Sequence, residues 1–453
     1  MTAVLNTFVS FVLILGSVSV FPSLSMAATD AALTLGQAVQ TALEDNHRLE
    51  AAGARVRGAQ AGVKAKRGSL GPSARVDYGY TRLDEEPTAF GIQSGEQNQW
   101  DAHLNVSQPL FTGLRLLSGY QKAQLESDQA RLELQDLRLT VALQVQTAFL
   151  DLIKAQENVT IAQDALRQLR AQRDVAQSFY EVGVKPKLDV LQAEVDVAGA
   201  EQDLLAAQNR VQTQKARLNT LLGRPAQSEV TYTGSLDFTP FPLPLKTCMA
   251  IAKKHRPDLA LAQKSVQIGE KTVRETASAR YPQINANYDY YRAGDTPAVD
   301  GNEYQDPSEW RLSARMQWEI FNSGNTTYQI AQAREQVQEL QAEARNADTE
   351  AQYEVKAAFL RLEQAQKQIR VARKAIQEAE EGYRIAQERY ANQVGTNTDV
   401  LNAQARLTQS RGRLTTAMAD YQQAMAQLFN AMGLLRPALT TTVLPLNSSS
   451  SPT

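Results

Sequence analysis

The chain is one unit written twice. A shift of 210 residues lays Leu49 on Leu259, Pro72 on Pro282, Tyr78 on Tyr288, Tyr80 on Tyr290, Trp100 on Trp310 and Phe111 on Phe321. The same shift lays Phe149 on Phe359, Tyr180 on Tyr390, Asp189-Val190-Leu191 on Asp399-Val400-Leu401, and Gly223 on Gly433. Two unrelated helical domains would drift in loop length, so an ungapped register over this many elements means duplication. Whatever one copy folds into, the other must fold into as well.

Each copy reads as helix, strand, strand, very long helix, turn, returning helix. The opening helix of the first copy spans about Thr34 to Ser69, and Gly71-Pro72 ends it. Strands follow at about 74–82 and 100–110, and in the second copy at about 282–292 and 309–320. Their period is two: Val76, Tyr78 and Tyr80 alternate with Arg75, Asp77, Gly79 and Thr81, and Leu312, Ala314, Met316 and Trp318 alternate with Arg311, Ser313, Arg315 and Gln317. The face carrying Asp101, Asp289, Arg311 and Arg315 is too polar for a dry sandwich and suits a wet lumen. Nine to eleven residues is also the length of a tilted strand crossing a bilayer. A soluble antiparallel sheet packed on helices is the alternative, and Tyr78, Tyr80, Tyr288, Tyr290, Trp100 and Trp310 are either an interfacial aromatic belt or ordinary core. In a membrane, four strands leave two edges of unpaired amides and cannot close a barrel; small barrels begin near eight strands, so the chain would share one with copies of itself. Twelve strands from three protomers would leave an open lumen.

From about Leu114 to Tyr180, and from about Thr326 to Tyr390, no proline interrupts a helical pattern. At 1.5 Å per residue this is a rod on the order of 100 Å, which needs lateral partners. Leu362, Ile369, Ile376, Tyr383 and Tyr390 keep a heptad spacing, and Leu152, Val159, Leu166, Arg173 and Tyr180 hold the same phase in the first copy. Both rods turn through glycine-containing segments, at Glu181 to Pro186 and at Asn392 to Thr398, with Asp189 or Asp399 in the first turn of the returning helix. These are two capped coiled-coil turns, or the far mouth of a tube.

The repeats are bounded at 28–240 and 241–438, with a flexible tail at 439–453. Residues 1–27 carry no charged side chain, run apolar from Phe8 to Val20 and end at Ser25-Met26-Ala27, as a secretory signal peptide does; a membrane anchor is the alternative. The 47 basic and 49 acidic residues are interleaved, which leaves no basic face for nucleic acid. The single cysteine, Cys248, reads as a small buried hydrophobe, and His47, His103 and His255 lack the spacing of a metal site. No phosphate loop or nucleophile elbow is present, so neither cofactor nor enzymatic activity is expected.

The junctions Gln108-Pro109-Leu110-Phe111-Thr112-Gly113 and Glu319-Ile320-Phe321-Asn322-Ser323-Gly324, the arrivals through Pro72 and Tyr281-Pro282-Gln283-Ile284, and the two turns running into Asp-Val-Leu-x-Ala resemble the TolC-type outer-membrane factors of tripartite efflux pumps and type I secretion systems. The resemblance covers nearly all of the chain after residue 27. It implies a mainly α chain with transmembrane β, whose homotrimer forms one shared twelve-stranded barrel, four strands per protomer, in the Gram-negative outer membrane, continuous with an α-helical coiled-coil barrel in the periplasm. It implies a passive exit duct, pinched at the helical end and relaxed when a periplasmic adaptor docks, the adaptor being bound to an ABC, RND or MFS transporter of the inner membrane. Carried over by position, the resemblance places the aperture at Asp399 and Asn402, a gating tie between Asp189 and Tyr390, and adaptor contacts at the tips, Val182, Gly183, Val184, Val394, Gly395 and Thr396. The basic residue of a second tie falls on Gly395, which has no side chain to make it. Two other readings compete: a periplasmic adaptor, which also joins a coiled-coil hairpin to strands, and a soluble coiled-coil scaffold. Genomic neighbours would name the cargo.

Overall fold

Both repeats begin with a broken helix. The computed structural model describes residues 32–435 apart from 91, 302–305 and 307; the signal peptide expected at 1–27 and the tail at 439–453 lie outside the described residues. The single opening helix expected over 34–69 is two helices, α1 (Leu35–Asp45) and α2 (His47–Gly68). Asn46 breaks it: in an extended conformation its side chain accepts the Arg48 N–H and donates to the carbonyl of Leu221 at 2.9 Å. The second copy breaks at the equivalent residue, Arg256, whose guanidinium donates to the carbonyl of Ala431 at 3.1 Å. A side chain at the break thus satisfies an orphan carbonyl at the end of the returning helix, in both copies.

The strands are β1 (Ser73–Arg82), a short hairpin of β2 (Thr88–Ala89) and β3 (Ile92–Gln93) that the alternation does not forecast, and β4 (Asn98–Phe111). After α3 (Arg115–Glu181) and α4 (Lys187–Leu221), the second repeat supplies α5 (Leu245–His255), α6 (Pro257–Ala277), β5 (Gln283–Gly294), β6 (Ser308–Gln317), α7 (Asn325–Ala391) and α8 (Asn397–Ala431). The sheet is antiparallel in the order β1-β4-β5-β6, so the two hairpins join at the β4–β5 seam and β1 and β6 are its edges. Both hairpins keep one register: Ser73 faces Ser107 as Gln283 faces Gln317, and Tyr80 faces Trp100 as Tyr290 faces Trp310.

The two long helices have 67 residues each, roughly 100 Å of rod. A partner of half that length cannot cover one, so α3 packs on α2 toward the sheet and on α4 toward the tip, while α6 bridges α3 and α7, and α8 lies against both. Where the half-length pieces meet end to end, an apolar cluster fills each repeat: Phe149, Leu152, Ile153, Leu218 and Tyr232 in one, Cys248, Leu362, Tyr421, Met425 and Leu428 in the other. Cys248 is fully buried there, as its reading as a small hydrophobe expects. Gly223 and Gly433, both at φ +74°, turn the chain out of the returning helices. A Cβ at either would stand 2.5 or 2.6 Å from the carbonyl oxygen of Asp45 or His255, so close approach and left-handed backbone both require glycine. Among the described residues, no helix is long and apolar enough to cross a membrane.

Candidate functional site

The tips are one turn built twice with a different residue at its hinge. In the first, the N–H groups of Gly183 and Val184 bond back to Tyr180 and Phe179; in the second, Gln393 and Val394 bond back to Tyr390 and Arg389. Glycine supplies the left-handed residue only in the first turn, Gly183 at φ +74°; in the second it is Gln393 at φ +63°, and Gly395 has an ordinary backbone, which corrects the expectation that the glycine of each turn supplies the unusual backbone angle. Gln393 is held in that costly region by its bond to Tyr390 and the packed helix before it.

The helix caps then diverge. Thr396 and Asp399 form a capping box, the Asp399 N–H donating to the Thr396 hydroxyl at 3.1 Å and the Thr396 N–H donating to the Asp399 carboxylate at 3.0 Å. Those bonds from Thr396 hold the Asp399 carboxyl below its ordinary value. In the first copy the hinge is Pro186, which has no N–H, and no such box forms. The Asp189 carboxylate is left to accept the Tyr390 hydroxyl at 3.4 Å. Tyr390 is fully buried, stacked edge-on against Phe179 at 5.5 Å, and burial, followed by the charge of Asp189, pushes its phenol up to about 12. The pair expected to tie the hairpins is therefore together.

Lys185 was not singled out by the sequence. Its Nζ donates to the carbonyl of Gly395 at 3.4 Å and stands 5.4 Å over the Tyr390 ring. The side chain that Gly395 lacks is thus supplied by the residue 210 positions earlier, which the repeat shift itself could have located. Buried Asn397 adds two bonds between hairpins, accepting from Gln172 at 2.8 Å and donating to the Asp189 carbonyl at 3.0 Å. Asn402 is exposed on α8 beside Leu188, Leu191 and Thr398, without a bond to Asp399. Val182, Gly183, Val184, Val394 and Thr396 are exposed and Gly395 is half-buried, so the tips present apolar side chains to their surroundings.

At the other end, the sheet has two unlike faces. Val76, Tyr78, Tyr80, Trp310, Leu312 and Met316 stand exposed on one, an apolar surface touched by the segment after β5, where the Tyr78 hydroxyl donates to the carbonyl of Pro297 at 2.6 Å. The opposite face carries Asp101, Asp289, Arg311 and Arg315, with Asp289 directly facing Arg311, Asp101 facing Gly79 and Arg315 facing Asn285. His103, to which the sequence assigned no chemistry, meets Asp289 at 2.9 Å and stacks on Tyr291 at 4.0 Å, while Asn105 donates to the same carboxylate at 2.7 Å.

Comparison with known proteins agrees with this architecture. Residues 38–224 and 249–434 each match the family described as outer membrane efflux protein, one match per repeat. The chain is 26% identical over 310 residues to a Pseudomonas putida protein named pyoverdine export outer membrane protein OpmQ, covering 67% of this chain and 65% of that one. It is 26% identical over 295 residues to the toluene efflux pump outer membrane protein TtgF of Pseudomonas putida, covering 63% of this chain and 59% of the relative. It thus spans slightly under two thirds of the length of these relatives. The fold matches the Campylobacter jejuni CmeC outer membrane channel with a TM-score of 0.78 at 18% identity, over 88% of this chain and 85% of that one. Two family matches, each spanning one hairpin with its strands, set aside the adaptor and scaffold readings: the chain belongs to the outer membrane efflux protein family.

Proposed function

We propose that three copies of this chain close into an outer-membrane exit duct, a twelve-stranded barrel continued by a tube of long helices. It passively conducts cargo delivered by a periplasmic adaptor and an inner-membrane transporter of the ABC, RND or MFS kind. The observation that carries this is the unequal covering of equivalent residues. Leu150 is 2% exposed and Ser118 4%, whereas their counterparts at the 210-residue shift, Leu360 and Tyr328, are 51% and 75% exposed. In the first repeat α6 and α8 of the second repeat pack on α3; among the described residues α7 has no further repeat against it. A first repeat from the next copy supplies that cover, and the unpaired edges of β6 and β1 pair at the same time, which a membrane requires of any sheet.

Two protomers would give eight strands, a barrel filled by its own side chains; three give twelve and an open lumen. The tip residues then surround the axis: Asp399 and Asn402 line the aperture, Asp189 and Tyr390 tie the hairpins that must part when it opens, and the exposed turns at Val182, Gly183, Val184, Val394, Gly395 and Thr396 receive the adaptor. The relatives export pyoverdine in one case and toluene in another, which fits a duct whose cargo is chosen by the pump below it. The test is reconstitution. Protein extracted from outer membranes in mild detergent should have the mass of three chains and conduct ions in a planar bilayer. A stable folded monomer, or a trimer that never conducts, would sink the proposal.

A further inference from the structure

The β4–β5 seam is a template for the seam between copies. Within the chain Asn105 faces Asp289, Leu104 faces Tyr290 and Val106 faces Tyr288. Because both hairpins share one register across the 210-residue shift, a ring that repeats itself carries these pairs over to β6 of one copy and β1 of the next. Arg315 then faces Gly79 of the next copy, Ala314 faces Tyr80, and Met316 faces Tyr78. This step rests on the shared-barrel reading.

At the inner seam, Asp289 is occupied by Asn105 and His103. At the outer seam the residues in those three places are Gly79, Arg315 and Ser313, so the acid of the inner seam is missing and a long cation faces a glycine. Gly79 is not an empty position. It faces Asp101 on β4, and a Cβ built on Gly79 would lie 2.7 Å from the Asp101 Oδ1, so the carboxylate of Asp101 lies over the glycine where a side chain would stand. Arg315 and Asp101 are both exposed on the polar face, and among the described residues neither has an ion pair or side-chain hydrogen bond within its own copy.

We infer that Arg315 of one protomer pairs with Asp101 of the next, across Gly79, and that this pair fixes the register of the seam between copies on the luminal face of the barrel. Glycine at 79 is what lets a residue two strands away reach the edge. The role is one of register more than of affinity. An ion pair in a water-filled lumen is screened and adds little binding, but a sheet edge slipped by one residue turns every side chain to the wrong face. A slip of two keeps the faces; charge opposes it in the direction that sets Arg315 against Thr81, while in the other direction Arg315 would meet Asp77 and leave Asp101 unpaired.

The test uses full-length protein in outer membranes, with Cys248, the chain's one native cysteine, replaced by serine. Gly79→Cys with Arg315→Cys, oxidised in place, should give covalent dimers and trimers on a denaturing gel. Asp77→Cys with Arg315→Cys and Thr81→Cys with Arg315→Cys should give at least tenfold less. In a second arm, Arg315→Asp and Asp101→Arg should each lower the temperature at which the trimer dissociates, and the two together should restore it. Stronger cross-linking at either shifted pair, or a double charge swap no better than the sum of the single ones, overturns the pairing while leaving the duct standing. Absence of any oligomer overturns the duct and this seam with it. The cross-link is read whether or not the charge variants assemble.

Discussion

Pro186 and Thr396 hold the same place in two copies of one turn, and the presence of an N–H on one of them decides what the acid three residues later does. Thr396 draws Asp399 into a capping box; Pro186 cannot, so Asp189 is available to Tyr390. The buried phenol of Tyr390 gives this tie a pH signature. Its value in the fold is raised to about 12 from an ordinary 10, by burial first and Asp189 second, so the stability it contributes is complete below pH 10 and is lost as pH rises from 10 through about 12. The tyrosinate absorbance of the protein minus that of Tyr390→Phe should therefore be one group titrating near 12, and Asp189→Asn should bring its midpoint down. A difference curve centred on 10 would mean that Tyr390 is open to water and holds no tie.

At the scale of elements, the strand faces carry the sharpest expectation. Leu312 stands exposed on the apolar face and Ser313 half-buried on the polar one. Leu312→Arg should block insertion, since an outward charge near the bilayer midplane costs about 2–4 kcal/mol, whereas Ser313→Arg should assemble at wild-type levels. Heat-modifiable trimer on membrane-fraction gels reads both, and equal tolerance would mean a soluble sheet. These faces were legible in the sequence because a period of two survives wherever one side must be apolar. The long helices were legible because nothing breaks them and the duplication states them twice. The breaks at Asn46 and Arg256 were not, because each is imposed from a distance, by a carbonyl at the end of the returning helix. Of the tip, Asp189 and Tyr390 came from resemblance and proved to be adjacent. Lys185 escaped because its partners are a backbone carbonyl and the face of a ring, which no pattern of side-chain types marks.

For the whole molecule, the proposed duct makes a chain with two hairpins one part of a ring, and the far end of that ring is where its mechanism would act. Three Asp399 side chains gathered on an axis would repel one another and attract cations, more strongly in a narrow ring than on an open surface. The capping box favours this role, because the Thr396 bonds that hold Asp399 below its ordinary value keep it charged at neutral pH. The same box supplies the competing account, in which Asp399 serves only to start α8. The two are separated by a pair of variants. Asp399→Asn removes the charge but keeps an oxygen able to accept the Thr396 N–H; Asp399→Ala removes both. If Asp399 lines the aperture, a di- or trivalent cation added on the periplasmic side of reconstituted trimer in a planar bilayer should block its conductance. Both variants should relieve the block, and only Asp399→Ala should lower thermal stability as well. Persistence of the block in Asp399→Asn would take Asp399 off the channel axis and leave it as a helix cap.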